Sequence, residues 1–173
     1  LSAYCAGGPF HWNSNPMKPT PDQLALQQVH AVCQTHAETL GEALQDMQLR
    51  ALTLDDYDHL SKEDRRLLDQ FAYRYTRLQD DMGARLMPAV LKALGEDIGP
   101  MSAIDRFSRL EQLGWLSSAD EWLAMRQVRN QFAHDYPDSA AERFERLQAA
   151  THAAQRLLAL MVHFQRQLVS LPS

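Results

Sequence analysis

The sequence predicts an all-α protein, an up-and-down bundle of about five helices, from two observations on the 173-residue chain. Apolar residues recur every three or four positions over most of its length, as they do on amphipathic helices. No stretch alternates apolar and polar residues as a strand does, and neither a sequence repeat nor a glycine-rich phosphate loop occurs. Short connections between the periodic segments favour neighbouring helices that pack around one core, and the length suits a single domain.

The first helix is predicted over Asp22–Leu52, with Pro21 in its first turn, where a missing N–H costs little. His30 and His36 lie six residues apart on it, a spacing that does not favour a metal site, so we expect histidines of the polar face or the core. The acidic stretch Thr53–Leu60 follows. It is either a divalent-cation loop or, as we expect, a solvated loop, because it lacks glycine and a regular alternation of ligands.

A long second helix is predicted from Ser61, which can cap it, to Gly95, and Pro88 should kink it or divide it in two. Polar side chains lie between its apolar positions and face either a cleft or, by default, water. These are Tyr73, Arg74, Arg77, Asp80 and Asp81.

Three further helices are predicted from their start signals. Ser102–Leu113 is a short helix that ends at Gly114. Ser118-x-x-Glu121 is a capping box that opens a helix running to His134, and Ser139-x-x-Glu142 opens the last helix.

Residues 1–16 carry no charge, and we expect them to be either an artificial or read-through addition before a natural start at Met17, or a disordered N-terminal arm that docks through Phe10 and Trp12. Residues 17–173 would then form the single helical domain. Two cysteines give neither a disulfide framework nor a zinc spacing, which suits a reducing cytoplasm. No apolar run approaches the ~20 residues of a membrane span, so no membrane is expected as a partner.

The net charge of −5 argues against a broad electrostatic nucleic-acid binder, but the charge is uneven. Residues 1–125 hold 11 Lys and Arg against 18 Asp and Glu, whereas residues 126–173 hold 6 against 4. The C-terminal part therefore weakly favours an anion site.

That less acidic part contains Arg129-Asn130-Gln131-Phe132-Ala133-His134-Asp135-Tyr136-Pro137. Arginine and a following histidine separated by four to six residues occur three times in the chain, which is close to chance. Only here is the spacing four residues with a tyrosine two positions after the histidine, a combination expected by chance about 0.02 times. Val128, Phe132 and Ala133 can anchor the segment to the core.

Arg-x4-His-x-Tyr, with Asn directly after the Arg, resembles the signature of the HEPN superfamily, most closely the HepT-type toxins of two-gene toxin–antitoxin modules. The resemblance implies a helical bundle that forms a two-fold homodimer, with both motifs lining one cleft that cleaves RNA. It implies Arg129, His134 and Asn130 as catalytic residues, no metal or cofactor, and a cognate nucleotidyltransferase of the MNT type as antitoxin. It also implies that Tyr136 accepts AMP from that enzyme, although the tyrosine ring can equally be packed against Phe132 or Trp122.

Side-chain chemistry agrees with such a role. Arg129 and His134 are about 140° apart on an ideal helix, so they converge only if the helix loosens or a second chain contributes. Asn130 and His134 share a face, which places Asn130 to orient the imidazole. An imidazole can take the proton of a 2′-hydroxyl, and a guanidinium can stabilise charge on a phosphate. The alternatives are a non-catalytic HEPN-like binding subunit for a nucleotidyltransferase and a plain helical interaction module.

Overall fold

The computed structural model describes residues 19–133 and 139–170, and all regular structure in these two ranges is helical, which confirms the predicted all-α class. The predictions for residues 1–16 lie outside the described residues. The elements are α1 (Pro21–Arg50), a 3-10 turn (Asp55–Asp58), α2 (Lys62–Asp81), a π-helical turn (Met82–Leu86), α3 (Met87–Ala93), α4 (Ala103–Gln112), α5 (Ala119–Ala133) and α6 (Ala140–Ser170). Because α2, the π turn and α3 run on without a break, the described chain has five helical segments, as predicted.

The helix caps predicted at Ser61 and Ser139 form in the structure. Ser61 caps α2, with its hydroxyl accepting from the Asp64 N–H while the Asp64 carboxylate accepts from the Ser61 N–H. Ser102 and Ser139 cap α4 and α6 in the same reciprocal way. Each such cap stabilises a helix by about 1 kcal/mol, because it satisfies amide groups that have no partner in the first turn.

The predicted break at Pro88 takes the form of a π-helical turn just before it. Proline lacks the N–H that would bond four residues back, and its ring crowds the carbonyl there, so a wider turn relieves both problems. The π turn brings Gly83 against the indole of Trp122 in α5. A Cβ at Gly83 would lie 3.0 Å from Cζ2 of Trp122, so only glycine fits this close approach without a shift.

One core joins all the helices of the described chain. α1 packs on α2, α3 and α6, while α5 packs on both α2 and α6. Aromatic rings seal the end that α4 covers: Trp122 contacts Phe107, and Trp115 meets Phe164 edge-on at a centroid distance of 5.2 Å. His30 is fully buried in this core, and burial lowers its pKa to about 4.

The acidic stretch after α1 is a closed hydrogen-bonded turn. Asp56 accepts from the backbone N–H and the hydroxyl of Thr53, and Arg50 bridges Asp56 and Asp64. These bonds, first those from Thr53, lower the pKa of Asp56 to about 2. In the described ranges, no group of three or more His, Cys, Asp or Glu side chains is arranged to hold a metal ion. No helix in the same ranges is long and apolar enough to cross a membrane.

Candidate functional site

The C-terminal half of α5, which carries the start of the motif, is fixed against α2 by apolar contacts. Phe132 meets the buried ring of Phe71 edge-on at a centroid distance of 5.5 Å. Val128 also packs against the core, and the hydroxyl of Tyr75 donates to the carbonyl of Met125 over 2.9 Å. The anchoring role predicted for Val128 and Phe132 is confirmed. The side chain of Ala133 lies outside the described part of the chain.

Arg129 is held by a carboxylate 49 positions earlier in the sequence. Its Nη2 donates to Oδ1 of Asp80 over 2.7 Å. The Arg129 side chain is only 14% exposed, whereas that of Asp80 is 49% exposed, so the pair lies at the edge of the core. Within the described residues, Nε of Arg129 is buried and has no hydrogen-bond partner. Asp80 thus fixes one nitrogen of the guanidinium and leaves Nε without an acceptor.

The pKa of Tyr75, which lies beneath the Arg129–Asp80 pair, is affected both by burial and by the charge of Arg129. Burial raises the pKa of its phenol, and the positive charge of Arg129 partly offsets that rise. The guanidinium therefore acts on the interior of the bundle as well as on its surface. A neutral Tyr75 that donates to the Met125 carbonyl keeps α2 and α5 in register below Arg129.

Asp81, next to Asp80, is the centre of a second polar group. It is 7% exposed, and its carboxylate oxygens lie 3.0 Å from Nε2 of His36, 3.6 Å from Arg77 and 3.5 Å from Arg85. The default expectation of a side chain that faces water is therefore wrong for Asp81, which is buried against α1. It holds for Asp80, which is exposed although it also pairs with α5. The short side chain of Asp81 is surrounded by the longer side chains of Arg77 and Arg85 and by the ring of His36.

The two groups together have more positive than negative charge. Three guanidiniums, from Arg77, Arg85 and Arg129, face the two carboxylates of Asp80 and Asp81. The excess of one positive charge belongs to the group around Asp81, where Arg77 and Arg85 are 45% and 49% exposed. Such an excess attracts an anion at short range, even on a chain with net charge −5.

Cys33 lies near the same cluster but is not a candidate nucleophile. Burial raises the pKa of its thiol to about 12, and the Asp81 charge adds to that rise while Arg85 opposes it. Reaction through sulfur needs the thiolate, and this thiol stays protonated at neutral pH.

Of the four site residues predicted from sequence, two fall within the described residues. Arg129 is paired with Asp80, and Asn130 is exposed on the neighbouring position of α5. His134 and Tyr136 lie outside the described residues, so the convergence of His134 on Arg129 and the accessibility of Tyr136 stay predictions. The sequence did not point to Asp80 as the partner of Arg129. The adjacent acidic pair Asp80 and Asp81 inside a helical stripe was the available signal.

Comparison of the chain with protein-family models, curated proteins and solved structures found no match.

Proposed function

We propose that this chain is a metal-independent endoribonuclease of the HEPN type, the toxin of a HEPN/nucleotidyltransferase toxin–antitoxin pair. It acts as a homodimer in which two copies of the motif line one cleft around a two-fold axis. The proposal rests on the Arg-x4-His-x-Tyr motif and above all on the state of Arg129. Among the described residues, the Asp80 carboxylate orients its guanidinium through Nη2, and the exposed Arg77 and Arg85 add positive charge around the neighbouring Asp81.

A guanidinium held in this way suits a phosphodiester. Arginine has five N–H donors in a rigid plane, and two of them can bond the two non-bridging oxygens of a phosphate. Asp80 uses one donor and limits the rotation of the side chain, which lowers the entropy lost when a phosphate binds. The excess positive charge of Arg77 and Arg85 then helps to draw the RNA backbone to the cleft.

The reaction follows from the chemistry of the motif. His134 takes the proton of a 2′-hydroxyl, and the 2′-oxygen attacks the adjacent phosphorus. The bond from phosphorus to the 5′-oxygen breaks, and the imidazolium of the second subunit protonates that leaving oxygen. Arg129 stabilises the additional negative charge on the phosphorus oxygens, and Asn130 orients the imidazole. The products carry a 2′,3′-cyclic phosphate and a 5′-hydroxyl.

The direct test is RNA cleavage by His134→Ala and Arg129→Ala in the presence of EDTA. Both variants should lose cleavage by about a hundredfold or more while circular dichroism and dimerisation stay as in the wild type. Arg126→Ala is the matched control, because Arg126 is an exposed arginine on the same helix outside the motif. It should retain cleavage. RNA cleavage by His134→Ala at the wild-type level would contradict the assignment of His134 as the catalytic base.

Regulation by the antitoxin is tested separately. Transfer of AMP to the phenol of Tyr136 would place bulk and negative charge beside Arg129 and exclude the substrate phosphate. Incubation with the product of a neighbouring nucleotidyltransferase gene and ATP should add the mass of AMP to the wild type and not to Tyr136→Phe. If the wild-type chain is not modified, regulation by AMP transfer is contradicted, whereas the nuclease proposal is unaffected.

One observation favours a second candidate, a non-catalytic helical binding protein. The Arg129–Asp80 pair forms inside one chain and ties α5 to α2, with most of the Arg129 side chain enclosed. In that case Arg129 stabilises the bundle, whose partner would be a nucleotidyltransferase or another helical protein. Its signature would be an Arg129→Ala variant that is strongly destabilised and a wild-type chain with no cleavage.

A further inference from the structure

A cavity of about 520 Å³ lies between α5 and α6, at the opposite end of α5 from Arg129. Its centre is near Trp122, which is seven residues and therefore about 10 Å along the helix from Arg129. The volume falls within the range of roughly 300–1,000 Å³ in which proteins bind small molecules. The cavity is therefore separate from the proposed cleavage site and is large enough for a ligand of its own.

The walls of the cavity are apolar and held in place by the core. Leu116, Trp122, Met125 and Leu160 line it. Trp122 is 1% exposed and is fixed between Gly83 on one side and the ring of Phe107 on another. Because the core sets the position of this indole, the edge that reaches the cavity is in place before any ligand binds.

The polar side chains at the rim of the cavity differ in how many of their hydrogen-bonding groups already have a partner in the protein. Glu121 is the only carboxylate in the lining, and it already contacts Arg156 and accepts a hydrogen bond from Ser117 over 2.8 Å. His163 approaches the Gly114 carbonyl with Nε2 at 2.9 Å, so this nitrogen donates and the ring is oriented. Arg156 has further N–H donors beyond those that meet Glu121.

Ser118, which also lines the cavity, adds a hydroxyl donor, because its oxygen accepts from the Glu121 N–H and its own hydrogen is not used in that bond. The rim therefore offers the donors of Arg156 and Ser118 beside the Glu121 carboxylate, and its one formal positive charge is balanced by one negative charge. A ligand that complements it brings an anionic group to Arg156 and Ser118, and an apolar body to the walls.

We propose that this cavity binds a small amphipathic anion, with an apolar body against Leu160 and the exposed edges of Trp122 and Met125, and one carboxylate or sulfonate at Arg156. The proposal is independent of the nuclease assignment, because none of these residues belongs to the motif. The pair of Arg156 and Glu121 acts as an internal competitor: the ligand anion replaces the Glu121 carboxylate as the partner of the guanidinium.

The test uses two fluorescent dyes, the anionic anilinonaphthalene sulfonate and its uncharged analogue phenylnaphthylamine. We expect the anionic dye to bind the wild-type chain at one saturable site, with energy transfer from Trp122. Ala159→Trp should abolish this binding, because Ala159 is an exposed residue of the cavity lining that a large ring would fill. Ala149→Trp is the matched control on the same helix, exposed and outside the lining, and should bind as the wild type does.

Two charge variants test the anion directly. Arg156→Gln should weaken binding of the anionic dye by about tenfold, the size expected for the loss of a charged hydrogen bond, and leave the neutral dye unchanged. Glu121→Gln should strengthen the anionic dye by a few-fold, since it removes the competitor. Thermal unfolding of each variant verifies that it folds. No saturable binding, equal binding by Ala159→Trp, or equal weakening of both dyes in Arg156→Gln would each overturn the proposal.

Discussion

Removing the Asp80 carboxylate should cost more electrostatic stability than removing the Arg129 guanidinium. Arg129 is 14% exposed and Asp80 is 49% exposed, so Asp80→Ala leaves a largely enclosed cation without its partner, whereas Arg129→Ala leaves a carboxylate that water can reach. Exposed ion pairs contribute about 0.2–1 kcal/mol, and breaking a buried pair costs about 3–5 kcal/mol. A pair at the edge of the core should lie between these limits, and we expect a coupling energy of about 1–2 kcal/mol.

The assay is a double-mutant cycle of urea unfolding on the wild type, Asp80→Ala, Arg129→Ala and the double variant. The same proteins are measured for RNA cleavage. If Arg129 acts on the phosphate, its loss reduces cleavage far more than its effect on stability explains, and Asp80→Ala reduces cleavage more mildly because the guanidinium stays but is less well oriented. A coupling energy above about 3 kcal/mol would refute the estimate for an edge pair and support a structural role. A value near zero would show that the contact does not hold the guanidinium.

Two further predictions concern the scaffold. Gly83→Ala should destabilise the protein by about 1–2 kcal/mol, because the added methyl lies 3.0 Å from Trp122 and this overpacking exceeds the gain in helix propensity. Trp122→Phe removes Cζ2, so thermal unfolding should show a much smaller cost of Gly83→Ala in a chain that also carries Trp122→Phe. Burial lowers the pKa of His30 to about 4 from 6.5, so the unfolded chain binds its proton more readily and stability should fall by about 3 kcal/mol as the pH drops from 6.5 to 4. His30→Leu should remove that part of the pH dependence in urea titrations, and an unchanged slope would contradict the burial of a neutral imidazole.

Signals between residues close together in the sequence are sufficient to predict the helices and most of their starting points. Ser61 and Ser139 begin helices because each has an acidic residue three positions later, and both partners of such a cap lie within one turn. The apolar stripe of each helix likewise depends on residues a few positions apart. The π turn was harder to foresee, since Pro88 predicts a disturbance but not whether the helix kinks, breaks or widens.

The site was less accessible to sequence reasoning because its contacts are distant in the chain. Asp80 and Arg129 meet only when α2 and α5 pack together. Both are charged residues on helices, so the sequence does not show that Arg129 is mostly enclosed while Asp80 is exposed. Asp81 is buried because His36 of α1 and two arginines surround it, which no local pattern reports. The cavity lined by Arg156 depends in the same way on how α5 lies against α6.

Mixing the wild type with His134→Ala tests the central claim most directly, because a site that needs one imidazole from each subunit is lost in every mixed dimer. Equal amounts of the two chains are unfolded and refolded together, and cleavage of RNA in EDTA is compared with that of the same total amount of wild type. With random pairing about one dimer in four keeps both His134 side chains, so the account predicts about a quarter of the wild-type activity. Retention of about half of that activity while mixed dimers form would show that each subunit cleaves alone, and it would contradict the proposed shared cleft.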